Sequence, residues 1–226
     1  AYVSAYVFTD LLDYSGPVQA NLRAAFGFSG PRDYWFPEIR SLPGAIAVMS
    51  LALYPYVYML ARAAFLEQSV CALEASRVLG RGAWRSFSTV ALPLARPALT
   101  AGVALALMEA LNDFGTVDYF AVQTLTSGIF HVWRQMGNLG GAAQIAAVLL
   151  LAVILLLALE RAARARRYFH HTTQRYRPLP GYRLGFVRGL GALLLCALPV
   201  GLGFGVPAGV LARYALGEAL SARPIE

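Results

Sequence analysis

The 226-residue sequence contains no lysine, only two cysteines and few charged residues of any kind. Without lysine it cannot supply the cation of a Gly-x-x-x-x-Gly-Lys-[Ser/Thr] loop, so this motif cannot bind ATP here. Cys71 and Cys196 are too few for a disulfide scaffold or a cysteine-rich metal site. Charged residues make up 14% and apolar residues 58%, which excludes an ordinary soluble domain. We therefore predict a membrane protein with no catalytic residues, no metal site and no nucleic-acid partner.

Long uncharged stretches are the main feature that is present. A helix needs about 20 apolar residues to cross the hydrocarbon of a bilayer. The predicted spans lie near residues 1–9, 41–62, 97–120, 139–160 and 189–212. We expect an all-α, polytopic transmembrane bundle with about four full spans. The first segment is interpreted as the tail of a truncated span, and the sequence as part of a longer chain.

Arginine placement orients these spans, because short arginine-rich loops stay on the cytoplasmic side. The connection 62–96 holds five arginines against two acids, and 160–188 holds eight against one. The connection 10–40 holds three arginines against four acids, and 118–138 holds one of each. The first two are assigned to the cytoplasm and the last two to the outer side, so the chain alternates sides at every span.

The inward loop 67–96 is patterned rather than loose. Helix-forming residues over 67–79 are followed by Gly80, which permits the backbone angles that end a helix. A second short helix over 83–92 is predicted to close at Pro93 and Pro97. Trp84 gives this helix an aromatic contact surface with arginines around it, which suits docking into a groove of another protein. An amphipathic helix that merely lies on the lipid is the alternative.

A family resemblance is carried within this loop by Glu74, Ala75, Ser76, Gly80, Val90, Leu92 and Pro93. They resemble the cytoplasmic motif of ABC importer membrane subunits, in which Glu-Ala-Ala is followed by Gly and then by an aliphatic residue and Leu-Pro. Ser76 stands where the motif has alanine. The opening YVFTDLLDYSGPVQANLR and the segment Asn112–Asn138 are similar to the permease of ferric-iron importers.

The resemblance implies a bundle of the ABC importer permease type in the bacterial inner (plasma) membrane. Residues 1–167 would be the later part of a first permease half, 168–188 an arginine-rich cytoplasmic linker, and 189–226 the first span of a second half, truncated. A separate cytosolic ATPase subunit would bind ATP and Mg²⁺, so this chain would need no cofactor. A periplasmic or extracellular substrate-binding protein would deliver the substrate.

The same resemblance implies which residues couple the chain to the ATPase. These are Glu74, Ala75, Ser76, Arg77, Gly80, Arg81, Ala83, Trp84, Leu92 and Pro93. Gly80 would be the pivot of the loop, and Trp84 would fill a pocket of the partner. Glu74, Arg77 and Arg81 would fix its register by polar contacts.

Acidic residues in the predicted third span suggest a second site. A carboxylate at mid-bilayer costs about 2.5 to 3.5 kcal/mol on insertion scales, so such groups should avoid lipid. Glu109 and Asp113, four residues apart, are predicted to share a helix face, with Asn112 and Asp118 nearby. These four residues are interpreted as a polar outer gate through which a cation passes. The alternative is that the acids cap helix ends or bond to a neighbouring span.

The leading hypothesis is an ABC importer permease for ferric iron. The same machine acting on thiamine, a polyamine or sulfate is the alternative within this class. A gradient-driven secondary transporter would suit the acids but leave the structured inward loop unexplained. For a membrane scaffold without transport activity, intramembrane acids would only be a liability.

Overall fold

The computed structural model describes residues 1–68, 70–165 and 184–221. Every regular element in these ranges is helical. The α-helices are α1 (Tyr2–Leu12), α2 (Pro17–Phe26), α3 (Leu42–Leu66), α4 (Val70–Val78), α5 (Ala83–Ser86), α6 (Leu92–Asn112), α7 (Gly115–Tyr119), α8 (Leu125–Phe130), α9 (Leu139–Ala165), α10 (Phe186–Val200) and α11 (Val206–Ser221). The π-helical segments in the same ranges are π1 (Phe87–Ala91), π2 (His131–Gln135) and π3 (Gly201–Gly205).

Four of the described helical stretches are long and apolar enough to cross a membrane. They run over Leu42–Leu66, Ala83–Asn112, Leu139–Ala162 and Phe186–Gly217. The predicted all-α, polytopic fold is therefore confirmed. Helix α1 has 11 residues. It covers about 16 Å, which is too short to cross a bilayer alone.

The span that the sequence predicts over 97–120 differs from the structure at both ends. The sequence predicts a span over 97–120 and, before it, a separate short helix closed by Pro93 and Pro97. In the structure one helical stretch runs without a break from Ala83 to Asn112. Pro97 lies inside it. The boundary inferred from the prolines is therefore wrong.

A π-helical turn explains how the helix continues past Pro93. A proline ring crowds the carbonyl four residues earlier and offers it no N–H group. For Pro93 that carbonyl belongs to Thr89, the middle residue of π1. Here the Leu92 N–H bonds to the Phe87 carbonyl, five residues back, and the wider turn leaves room for the ring. The last span repeats this arrangement, since the residue four positions before Pro207 is the middle of π3.

The predicted linker 168–188 lies largely outside the described residues. Its last three residues, 186–188, form the start of α10. The final span therefore begins before the predicted Gly189. The division into two permease halves on either side of this linker stays a prediction.

Contacts group the chain into two compact units. The first comprises residues 1–53, 113–145 and 186–226. The second comprises residues 54–112 and 146–185.

The first unit has an apolar core, formed by Ala5, Phe8, Ala45, Val48 and Phe120. Val206 of α11 packs against this core. Midway along the same helix, the Tyr214 hydroxyl donates a hydrogen bond to the Asp10 carboxylate near the end of α1. The orientation inferred from arginine placement stays a prediction.

Within the second unit, helices α3 and α6 approach each other closely at Gly102. This glycine is buried, and a Cβ atom there would lie 2.8 Å from Val57 Cα and 3.2 Å from the Tyr56 carbonyl oxygen. Both of these neighbours are backbone atoms, so no side-chain rotation could make room. Small residues commonly allow such close packing between membrane helices.

Candidate functional site

The predicted inward loop forms a helix, a bend and a second helix, which we call the elbow (residues 70–86). Gly80 has a φ of +78°, a left-handed conformation that favours glycine. The Gly80 N–H bonds to the Arg77 carbonyl at 2.8 Å, and the Arg81 N–H to the Ser76 carbonyl at 3.2 Å. These two bonds form a Schellman motif that ends α4. Gly82 then precedes α5 in extended backbone.

Most side chains of the elbow are exposed on the face around Trp84, which we call the docking face. Trp84 is 84% exposed, and Val78 and Leu79 beside the bend are also exposed. The exposed residues among those predicted to couple to an ATPase are Glu74, Ala75, Arg77, Gly80, Arg81, Ala83 and Trp84. An exposed tryptophan with aliphatic neighbours and a basic rim fits a protein-docking surface.

Ser76 behaves differently from its neighbours because it points into the elbow. It is 5% exposed, and its hydroxyl contacts that of Ser86, which is 3% exposed. The contact joins α4 to the end of α5. The position that departs from the family motif therefore holds a buried polar contact rather than part of the exposed face.

The base of the elbow is tied to α3 and π1. The Gln68 side-chain amide is buried and donates to the Ala91 carbonyl at 2.7 Å. Phe65, near the end of α3, stacks on Phe87 with 5.9 Å between ring centroids. The Phe87 ring in turn meets Trp84 edge-on at 6.2 Å. These contacts fix where the elbow leaves the spanning helices.

Sequence reasoning missed Ser86, Gln68 and Phe65. Only Ser86 could have been anticipated from the sequence. A serine at position 76, where the motif has alanine, suggests a polar partner nearby. Leu92 and Pro93, which were predicted as coupling residues, are half-buried at the start of α6. They belong to the spanning helix rather than to the exposed face.

The four predicted gate residues do not share one helix. Helix α6 ends at Asn112, and both Glu109 and Asn112 are exposed. Asp113 lies beyond the helix, where its carboxylate accepts from the Thr116 N–H at 2.7 Å and the Thr116 hydroxyl at 2.8 Å. This carboxylate caps the start of α7. The predicted shared face of Glu109 and Asp113 is therefore wrong, and for Asp113 the capping alternative is correct.

Asp118 lines a cavity of about 620 Å³ within the first unit. Basic and aromatic side chains line the same space, among them His131, Arg134, Phe114 and Phe130. Helical structure is interrupted after α7 near Ala121, whose φ is 55°, and resumes at α8. In the described part of the chain, no group of three His, Cys, Asp or Glu residues could hold a metal ion.

The outer loop (residues 13–41) is organised by polar contacts within the first unit. The Arg23 guanidinium donates to the Tyr14 carbonyl at 2.9 Å and to the Tyr34 hydroxyl at 3.2 Å, and it lies 4.1 Å from the Tyr14 ring centroid. The Tyr34 hydroxyl donates to Gln19 at 2.6 Å. A cavity of about 990 Å³ lies against the same loop, with Trp35 in its lining.

Asp33 closes a turn in the outer loop. Its carboxylate accepts from the Gly30 N–H at 2.8 Å, the Ser29 N–H at 2.9 Å and the Ser29 hydroxyl at 3.1 Å. These hydrogen bonds, first that from Gly30 and then those from Ser29, lower the pKa of Asp33 below its ordinary value. The turn is therefore stabilised by the ionised carboxylate.

Comparison with known proteins places this arrangement in a family. Residues 23–168 match the family described as the binding-protein-dependent transport system inner membrane component. The chain is 32% identical over 131 residues to the molybdenum transport system permease protein ModB of Escherichia coli strain K12, covering 54% of this chain and 57% of that protein.

Two further relatives carry related names. The sulfate transport system permease protein CysT of Escherichia coli strain K12 is 36% identical over 78 residues, covering 34% of this chain and 28% of CysT. The molybdate/tungstate transport system permease protein WtpB of Thermococcus kodakarensis is 29% identical over 77 residues, covering 34% and 31%.

The matched segments span little more than half of ModB and about a third of the other two relatives. The family match, by contrast, covers more than half of this chain and includes the whole elbow. With its several membrane-spanning helices, the chain belongs to the family of inner membrane components of binding-protein-dependent transport systems, and it is a multi-pass membrane protein.

Proposed function

We propose that this chain is the permease subunit of an ATP-driven importer and that its elbow docks into a separate cytosolic ATPase subunit. The observation that supports docking is the exposed face around Trp84, on a loop that arginine placement assigns to the cytoplasm. Membership of a transport family supports the role of a transport subunit. Since the chain has no lysine for a phosphate-binding loop, ATP and Mg²⁺ would be bound by the partner.

The helix that follows the bend suggests how force would reach the membrane. Residues Ala83–Asn112 form one continuous helical stretch, from the second arm of the elbow through a full span. When the ATPase subunits close around ATP, a pull on the docked face would tilt this stretch. The tilt would favour one of two openings of the pathway over the other.

On the outer side, a substrate-binding protein would deliver the cargo. The outer loop presents Trp35, which is 87% exposed, next to the cavity of about 990 Å³. Exposed tryptophan is common at the centres of protein interfaces. The loop therefore fits a docking surface for that partner.

For the substrate, we infer a small oxyanion such as molybdate or sulfate. The relatives reported above are named for molybdenum, for molybdate and tungstate, and for sulfate. The structure also weakens the argument for a cation pathway, because the Asp113 carboxylate is occupied in capping α7. The Arg134 guanidinium in the lining of the cavity of about 620 Å³ would attract an anion.

Ferric iron is the second candidate. It rests on the resemblance of the opening segment and of Asn112–Asn138 to ferric-iron permeases, and none of the three relatives reported above is named for iron. Uptake of labelled molybdate, sulfate and ferric iron by cells with and without this chain separates the two candidates. We expect oxyanion uptake to be lost and iron uptake to be unchanged in its absence. Loss of iron uptake alone would overturn the oxyanion assignment.

Two substitutions test the docking proposal. Glu74→Lys reverses an exposed charge on the docking face, and Gly80→Val places a β-branched residue where φ is +78°. We expect each to reduce co-purification of the ATPase subunit and substrate uptake by at least tenfold. Glu67→Lys is the matched control, because Glu67 is an exposed acid just before α4. Wild-type retention and uptake in both variants would refute docking through the elbow.

A further inference from the structure

Two buried serines connect the two arms of the elbow, which are α4 before the bend and α5 after it. Ser76 on α4 and Ser86 at the end of α5 are ten residues apart, on opposite sides of the Gly80 bend. Both are almost fully buried, although most side chains around them are exposed. Their hydroxyl oxygens are in direct hydrogen-bonding contact. We call this contact the serine bridge.

The direction of the bond follows from counting protons. A serine hydroxyl has one proton to donate and two lone pairs that accept. The Ser76 hydroxyl donates to the Leu73 carbonyl at 2.9 Å, so its proton is already used. With the Ser76 proton on the Leu73 carbonyl, Ser86 donates in the serine bridge and Ser76 accepts. The result is a chain of hydrogen bonds from α5 through Ser76 to the backbone of α4.

We propose that the serine bridge fixes the angle between the two arms, α4 and α5, so that a pull on the docked residues of α4 is also transmitted to α5 and the spanning helix. This inference rests on the proposed docking of the elbow to an ATPase. The docking face lies on both arms: α4 carries Glu74 and Arg77, while α5 carries Trp84 and continues into the stretch that ends at Asn112. At the bend itself no side chain packs against the two glycines, since a Cβ atom on Gly80 or Gly82 would meet nothing within 4 Å. Ser76 and Ser86 are thus positioning residues.

The base of the elbow does not replace this link. The hydrogen bond from Gln68 to Ala91 and the stacking of Phe65 on Phe87 join the end of α3 to π1. Both contacts act at the root of the elbow, where α3 ends and π1 lies, and neither joins a side chain of α4 to one of α5. The Arg81 side chain bonds to Thr89 at 2.9 Å and likewise holds the bend to π1. A side-chain contact between α4 and α5 themselves is provided by the serine bridge.

The family motif supplies the first variant. Ser76→Ala creates the Glu-Ala-Ala sequence of the motif, yet here it would leave the buried Ser86 hydroxyl without its acceptor. Ser86→Ala removes the donor, while Ser76 keeps its bond to Leu73. We expect the amount of substrate imported per ATP hydrolysed to fall about fivefold in each variant, with the larger loss in Ser76→Ala. Ser88→Ala, an exposed serine on π1, is the control and should leave the ratio unchanged.

The double variant separates positioning from stability. In Ser76→Ala/Ser86→Ala neither hydroxyl remains, so no buried polar group is left unsatisfied and stability should be close to wild type. If the bridge transmits movement, this variant should retain the ATPase subunit and hydrolyse ATP but import about fivefold less substrate per ATP. A wild-type ratio in the double variant would overturn the proposal.

A cysteine pair provides the second measurement, which decides if the alanine variants assemble poorly. In a chain with Cys71 and Cys196 replaced by serine, Ser76→Cys/Ser86→Cys places two thiols where the hydroxyls now touch, within reach of a disulfide. Oxidation should raise import per ATP to the wild-type value, and reduction should lower it. Equal ratios in both forms would overturn the proposal. If wild-type permease fails to retain the ATPase subunit at all, the proposed function fails instead, which is a distinct outcome.

Discussion

The elbow and the outer loop each expose one tryptophan, but they hold their shapes in opposite ways. Trp84 is 84% exposed in the elbow, and Trp35 is 87% exposed in the outer loop. The elbow is shaped by a glycine cap and a buried serine contact. In the outer loop the charged side chains are themselves structural, as in the ion pair of Arg40 and Asp13 at 3.4 Å.

This difference shows which charges are available to a partner. In the outer loop, Arg23 and Asp33 are already engaged by the loop itself. In the elbow, Glu74 is exposed on a helix whose shape does not depend on it. We therefore expect charge to matter for recognition at the elbow, and apolar contact to matter more at the outer loop.

The largest expected effect comes from Gly102, because the elbow continues into the helix that carries it. Gly102→Leu would force side-chain atoms against the Val57 backbone, where a Cβ alone would already lie 2.8 Å from the Cα. Overpacking of this kind costs about 1 to 3 kcal/mol or more. We expect loss of ATPase-subunit retention during purification, while binding of the substrate-binding protein through the outer loop is retained.

Gly128→Leu is the matched control for Gly102→Leu. Gly128 also lies in a helix, but a Cβ there would meet nothing within 4 Å. This variant should purify with its partners like the wild type. If Gly102→Leu did so too, the close packing of α3 and α6 would not be needed to hold the elbow.

The second prediction compares alanine variants of the two tryptophans in their binding to the two proposed partners. Trp84→Ala should weaken binding of the ATPase subunit by about 30-fold, which corresponds to about 2 kcal/mol for a buried interface tryptophan. Trp35→Ala should leave that affinity unchanged and instead weaken binding of the substrate-binding protein. Affinities measured with both partners for both variants check the pattern. Loss of ATPase binding in Trp35→Ala would contradict the assigned sides of the membrane.

Much of this architecture could be predicted from the sequence because it depends on local properties. The spans follow from the length of apolar stretches, and the bend follows from Gly80. The cap formed by Asp113 was also within reach, since Asp-x-x-Thr is a plausible helix start. Capping is the alternative that the sequence leaves open beside the interpretation as a gate.

Other features depend on contacts that a single sequence does not display. Whether Pro93 ends a helix depends on whether the preceding turn can widen. That turn is π1, which is held in place by contacts with Phe65 of α3 and with Gln68 just after it. The pairing of Ser76 with Ser86 likewise requires the fold around the bend. Tertiary packing thus decided the points on which local rules gave the wrong answer or none.

The smallest expected effect is a local dependence on pH in the outer loop. The pKa of Asp33 is lowered in the folded loop by hydrogen bonds from Gly30 and Ser29. A lowered pKa means that the ionised form stabilises the turn at pH values above the unfolded pKa of about 4. The stabilisation is lost as the pH falls through the folded value, so the turn should be unchanged between pH 7 and 5 and loosen below about 4.

Asp33→Asn removes the titrating group while keeping its shape. Hydrogen–deuterium exchange over residues 28–34 should be faster in this variant than in the wild type at pH 7, and the two rates should converge as the pH falls through the lowered pKa of Asp33. Comparing both proteins at each pH cancels the intrinsic pH dependence of exchange. Equal rates at pH 7 would show that the carboxylate does not hold the turn, and the contrast with the elbow would then rest on Arg23 and Arg40 alone.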